Sequence, residues 1–90
     1  MNQNEIKLRV TYNPETGIFH WRPPFGGSRK GRVAGSHSIR GYIYIEIDGK
    51  MHQAHRLAWL YFYGELPEII DHINGVRTDN RIENLRNLLS

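Results

Sequence analysis

The residues best suited to chemistry are Asp71 and His72, adjacent in the run Ile69-Ile70-Asp71-His72-Ile73. Aspartate is a hard oxygen ligand of the kind that suits Mg²⁺. Histidine is the side chain whose ordinary pKa fits general-base work near neutral pH. Neighbouring residues on a strand point to opposite sides. One of the two can therefore hold a cation while the other faces a water. Asn84, twelve positions beyond His72, is placed either to orient the imidazole or to pin the intervening loop. The bland alternative is a surface Asp beside a partly buried His, and a dipeptide alone does not choose between them.

The other histidines offer less. His55 sits beside Arg56 where a hairpin meets a helix, a position for capping or core packing. His52 is expected on the surface, and His20 and His37 have no evident partners. No pair has helical i, i+4 spacing or a tight His-x-His arrangement.

The basic residues form a second constellation. Of 12 basic side chains, only Lys7, Lys30 and Lys50 are lysines, and the rest are Arg. Arg is the residue suited to bidentate phosphate contacts. Residues 22–41 carry Arg22, Arg29, Lys30, Arg32 and Arg40 with no acidic residue, among five glycines. This is the composition of a loop that lies on phosphates, or of an ordinary solvated loop. Residues 1–56 are net positive and residues 57–90 net negative. The first property fits a polyanionic partner, the second a divalent cation.

The elements that must position these groups follow from local patterns. Ile6 to Val10 alternates for too short a distance to decide between an edge strand and a turn of helix. Asn13-Pro14-Glu15-Thr16-Gly17 is turn chemistry, and Ile18-Phe19-His20-Trp21 is a strand stopped by Pro23-Pro24. A short strand is possible around Arg32-Val33-Ala34. Residues 42–47 form the clearest strand, with Ile43, Ile45 and Ile47 on the face toward the core. Asp48-Gly49 is a two-residue hairpin turn, and residues 50–54 return. Residues 55–63 are apolar or aromatic on most sides and predict a buried central helix. Gly64 caps it and Pro67 prevents its continuation. Residues 69–73 suggest a strand, Asn74-Gly75 a turn. Residues 78–85 favour local side-chain-to-backbone bonds over a long helix. Ile82, Leu85 and Leu88 are spaced to reach the core.

Length and composition bound the whole. Ninety residues allow one small domain with a thin core. The absence of cysteine excludes disulfides and thiolate-held zinc, and suits a cytoplasmic chain. No apolar run approaches the roughly 20 residues of a membrane span. The first residues, MNQNEIK, lack the apolar segment of a secretory signal.

Four runs together resemble the phage-type HNH endonucleases. They are Ala54-His55-Arg56-Leu57-Ala58-Trp59, Gly64-Glu65-Leu66-Pro67, Ile70-Asp71-His72-Ile73-Asn74-Gly75 and Asp79-Asn80-Arg81-Ile82-Glu83-Asn84-Leu85-Arg86. The segment Tyr12-Asn13-Pro14-Glu15-Thr16-Gly17-Ile18-Phe19-His20-Trp21, with Gly41-Tyr42, resembles the region that precedes the nuclease motif in the same family. In outline that region is similar to the three-stranded AP2-like DNA-binding module.

The resemblance implies an α+β fold. A small antiparallel sheet (main hairpin 42–54) would pack on one central helix (about 55–63), followed by a truncated ββα-metal finger. Residues 1–90 would be a single domain, with 12–63 its AP2-like part and 68–90 a partial HNH motif. His72 matches the motif histidine that activates water against a scissile phosphate. Asp71 matches a ligand of one divalent ion, Mg²⁺ or Mn²⁺, and Asn84 the residue that shapes the loop. Arg77, Arg81 and Arg86 would contact phosphates, as would Arg29, Lys30, Arg32 and Arg40. The last motif residue, a His or Asn on the finger's helix, is expected beyond Ser90, and Asn87 is the nearest candidate. Three functions follow as expectations: a DNA-cleaving HNH protein, a non-catalytic DNA binder, and a phage inhibitor of a host defence complex of the anti-CRISPR kind. A homodimer and residence in the host cytoplasm are further expectations.

Overall fold

A computed structural model describes residues 1–24 and 31–89; Arg29 and Lys30, two of the expected phosphate contacts, lie outside the described residues. The chain opens with helix α1 (Gln3–Arg9). Asn2 decides this: its side-chain oxygen accepts from the Glu5 N–H at 2.9 Å, satisfying a donor that the first turn leaves open. The alternating Ile6–Val10 run is thus mostly helical, with Ile6 fully buried.

Strand β1 (Val10–Asn13) follows directly and pairs antiparallel with β2 (Ile18–Trp21), which pairs in turn with β3 (Val33–Ala34). The turn between β1 and β2 closes through Gly17 N–H donating to Asn13 O at 2.7 Å. Asn13 Oδ1 also accepts from Glu15 N–H. Alternation buries Val10, Tyr12, Phe19 and Trp21 on one face of this sheet.

A second sheet contains β4 (Ser36–His37), β5 (Ile43–Ile47) and β6 (Lys50–Gln53). Asp48 and Gly49 both have positive φ, 52° and 79°, as the two-residue hairpin demands. Ile45 and Ile47 are buried, while Ile43 is partly buried against the same core.

Helix α2 (Ala54–Tyr63) packs on β5, β6 and α1. Ala54, His55, Leu57, Ala58 and Leu60 are buried, and Trp59 and Tyr61 are partly buried against the core, so the helix is covered on most sides as its composition predicts. Phe62 and Tyr63, at its end, are about half exposed. Helix α1 meets that end, where Gln3 Nε2 donates to the Tyr61 carbonyl at 2.9 Å, and adds a second helix to the one expected.

The chain ends in a hairpin of β7 (Ile70–His72) and β8 (Leu85–Asn87), with a single 3-10 turn, Ile82–Asn84, just before β8. Ile70 and Leu85 join Ile6, Val10, Phe19, Ile45 and Leu57 in one hydrophobic core, with Ile82 packed against it. Leu88 is 48% exposed: its N–H still donates to Ile69 O at 3.2 Å, and alternation from Leu85 turns it to the outer side with Arg86. The architecture is α+β with small antiparallel sheets. Among the described residues no helix is long and apolar enough to cross a membrane.

Candidate functional site

The β7–β8 ladder sets Asp71 opposite Arg86 and His72 opposite Leu85. The pleat then sends Ile70 and His72 inward and Asp71 to the outer side. His72 is buried. Its Nε2 lies 2.8 Å from Asn80 Oδ1, and its ring meets the His55 ring edge-on at 4.8 Å. Tyr42 lies beside both imidazoles, 5.5 Å from His55 and 6.2 Å from His72. Burial pushes the His55 pKa down to about 4, and the proximity of His72 and Arg56 adds to this. His55 is therefore neutral at pH 7, which suits a second imidazole packed against it.

Arg77 covers this aromatic group from outside. Its guanidinium stands 4.7 Å above the Tyr42 ring and donates to the Arg40 carbonyl at 2.5 Å. The side chain is exposed but ordered by these two contacts, a cation over a ring and a charge-assisted hydrogen bond.

The long turn between β7 and β8 is organised by Asn84, which is buried. Its Nδ2 donates to Asn74 Oδ1 and to Asp79 O, both at 2.9 Å, and its Oδ1 accepts from Asn74 N–H at 3.0 Å. Of the two roles open to it, Asn84 takes that of pinning the loop. The imidazole is held by Asn80, which sequence reasoning missed. Its signal was faint: one Asn in a run that also contains Asn74, Asn84 and Asn87.

The predicted phosphate-binding arginines diverge. Arg32, Arg40 and Arg77 are exposed, and none pairs with a carboxylate among the described residues. Arg81 is engaged internally. Its Nε and Nη2 grip Asp79 in a two-point contact, both at 2.8 Å, and its Nη1 donates to Glu83. That grip, foremost, holds the Asp79 carboxyl at about 2, well below the usual range. Arg86 Nη2 donates to Asp71 Oδ2 at 2.8 Å. His52 is half-buried, while His20 and His37 are exposed.

A metal ion fits this arrangement poorly. Asp71 supplies one carboxylate, and the guanidinium of Arg86 already neutralises it. His72, expected as the base and not as a ligand, lies on the other side of the strand against Asn80 and adds no donor to the ion. Among the described residues no group of three or more His, Asp or Glu converges. A hard cation held by one shared carboxylate keeps most of its waters and is weakly bound. A surface cleft of about 440 Å³ is lined by Pro14, Glu15, Phe62, Ile82 and Glu83, without His72, and carries two carboxylates. Its charge is wrong for a phosphate.

The hairpin, its pinned turn and the helix before it fall within one family match. Residues 52–88 match the HNH endonuclease family. The HNH segment thus starts in β6, includes all of α2 and ends just past β8. It contains His55, Asp71, His72, Arg77, Asn80 and Asn84. The match supports a nucleic-acid-related function of the endonuclease type. No curated protein and no solved structure matches the chain.

Proposed function

We propose that this chain binds double-stranded DNA through its HNH segment and the adjoining basic surface, with Arg77, Arg40 and Arg32 on the phosphates. The observation that supports this best is Arg77: an exposed guanidinium held in place next to the His72 hairpin, with no carboxylate to satisfy it among the described residues. A side chain already ordered loses less entropy when it meets a phosphate. Each phosphate contact contributes a roughly 0.9 slope to the dependence of log K on log salt for duplex DNA. Fluorescence anisotropy with a labelled duplex, over a salt series, tests it. Arg77→Ala should lower the slope by about 0.9. Arg81→Ala should leave it nearly unchanged, because that guanidinium is spent on Asp79 and Glu83. An unchanged slope in Arg77→Ala overturns the assignment.

A second reading, phosphodiester hydrolysis with His72 as the base that activates water, is favoured by the hydrogen bond between His72 Nε2 and the Asn80 amide oxygen and by a neutral His55 alongside. Plasmid nicking in Mg²⁺ or Mn²⁺, compared between the chain and His72→Ala, tests it. Cleavage that survives the substitution removes His72 from the reaction. Binding without cleavage in either protein leaves the DNA binder as the function.

A further inference from the structure

We infer that Asn80 is the positioning residue of His72: its amide oxygen holds the ring with the proton on Nε2 and leaves Nδ1 as the one basic nitrogen. The inference rests on reading His72 as a base and specifies which atom of it acts. An amide oxygen has no proton to give, so a hydrogen bond at 2.8 Å requires the proton on Nε2. A neutral imidazole carries only one such proton. Water does not scramble the arrangement, because Asn80 is 1% exposed and His72 7%.

Asn80 is itself held from a distant part of the chain. Its carbonyl accepts the Tyr12 hydroxyl at 2.5 Å, across 68 positions of sequence. Burial, with the charge of Asp79 adding to it, pushes the Tyr12 pKa far up, so the hydroxyl stays a donor. Pro14 O accepts from Ile82 N–H at 3.0 Å. Gly17 lies so close that a Cβ there would stand 2.4 Å from Asn80 C and Arg81 N. The β1–β2 turn thus braces the backbone that aims the Asn80 amide, and the HNH segment borrows its alignment from residues 12–17.

The test is a long-range ¹H–¹⁵N spectrum of the ring-labelled protein near pH 8, without DNA or added metal. His72 should show a protonated Nε2, a bare Nδ1 and a slowly exchanging Hε2. In Asn80→Ala the two tautomers should mix and Hε2 should exchange about fivefold faster, the factor a typical lost hydrogen bond produces. Asn80→Asp, which keeps an acceptor, should restore the single tautomer. Tyr12→Phe should speed Hε2 exchange to an intermediate rate; no change there removes the β1–β2 turn from the inference. A protonated Nδ1 in the unsubstituted chain overturns it whether or not any variant folds. So does a folded Asn80→Ala with an unaltered spectrum. The spectrum needs no catalysis. An absent nuclease activity with the expected tautomer sinks only the base reading, and His72-dependent cleavage with the opposite tautomer sinks only the role of Asn80.

Discussion

Asp71 and Arg86 face each other across the β7–β8 ladder, and the guanidinium donates to the carboxylate at 2.8 Å. The arginine charge therefore sits where the resemblance to HNH nucleases puts a metal ion. Both side chains are substantially exposed, 55% for Arg86 and 40% for Asp71, and such pairs are worth about 0–1 kcal/mol. The pair competes with a cation without barring it.

Removing the competitor should expose the carboxylate. Arg86→Ala is expected to bind Mn²⁺ a few-fold more tightly than the unsubstituted chain, within the roughly fivefold that about 1 kcal/mol allows. Water-proton relaxation in a Mn²⁺ titration reads this without any nuclease assay. Equal affinities in the two proteins would mean that Arg86 does not guard Asp71.

Gly17 is the glycine whose replacement should cost most. Its φ is +76°, and a Cβ would collide with the Asn80–Arg81 peptide at 2.4 Å. A left-handed alanine alone costs about 1–2 kcal/mol. Moving a packed backbone adds to this, so Gly17→Ala should lose about 2–4 kcal/mol in urea unfolding. Gly75 has a similar φ of +76° with nothing within 4 Å. Gly75→Ala should show only the conformational part. Equal losses at the two positions would contradict the brace described for Asn80.

Acidification should destabilise the fold in a definite window. His55 has its pKa lowered in the folded state to about 4, from an ordinary value of 6.5. As pH falls below 6.5 the unfolded chain takes up the proton first. The stabilising effect of the neutral buried ring is complete above 6.5 and is lost progressively down to about 4. Two to three pH units correspond to roughly 3 kcal/mol. Asp79, lowered to about 2, acts later: its contribution is present above its ordinary 3.8 and disappears as pH falls toward 2. Urea midpoints at pH 7 and pH 4.5 should differ in the unsubstituted chain. They should draw closer in His55→Gln, with a remainder owed to His52, whose pKa burial also lowers. An undiminished difference in the variant would assign the effect to another group.

Asn84→Ala removes three side-chain hydrogen bonds from a buried position and leaves the Asn74 N–H without its acceptor. Each is worth about 0.5–1.5 kcal/mol net. A loss of about 2–4 kcal/mol in thermal or urea unfolding is expected. Asn84→Asp keeps the acceptor for Asn74 N–H and should lose less. The reverse order would show that the donors, not the acceptor, hold the turn.

What was legible in the sequence was local. The β5–β6 hairpin is written in Asp48-Gly49 and alternating isoleucines, and α2 ends at Gly64 as its composition says. The loop-shaping role of Asn84 was visible as one of two options. Helix α1 was not, because five alternating residues fit two periods and the deciding group, the Asn2 cap, lies outside them. The exposure of Phe62 and Tyr63 depends on which elements pack against the end of α2, which is a tertiary matter. Asn80 escaped notice for the same reason: its partners His72 and Tyr12 are 8 and 68 positions away. The Asp71–Arg86 pairing becomes readable only once the register of β7 and β8 is known. Arg81 looked like its neighbours Arg77 and Arg86 until its fork was found on Asp79.

The Tyr12–Asn80 hydrogen bond and the Pro14–Ile82 contact also say something about inheritance. The family-matching residues 52–88 are not a portable cassette. Their hairpin would have to travel with Tyr12, Pro14 and Gly17, so any graft or recombination at the start of that segment would deliver the motif's letters and lose its alignment.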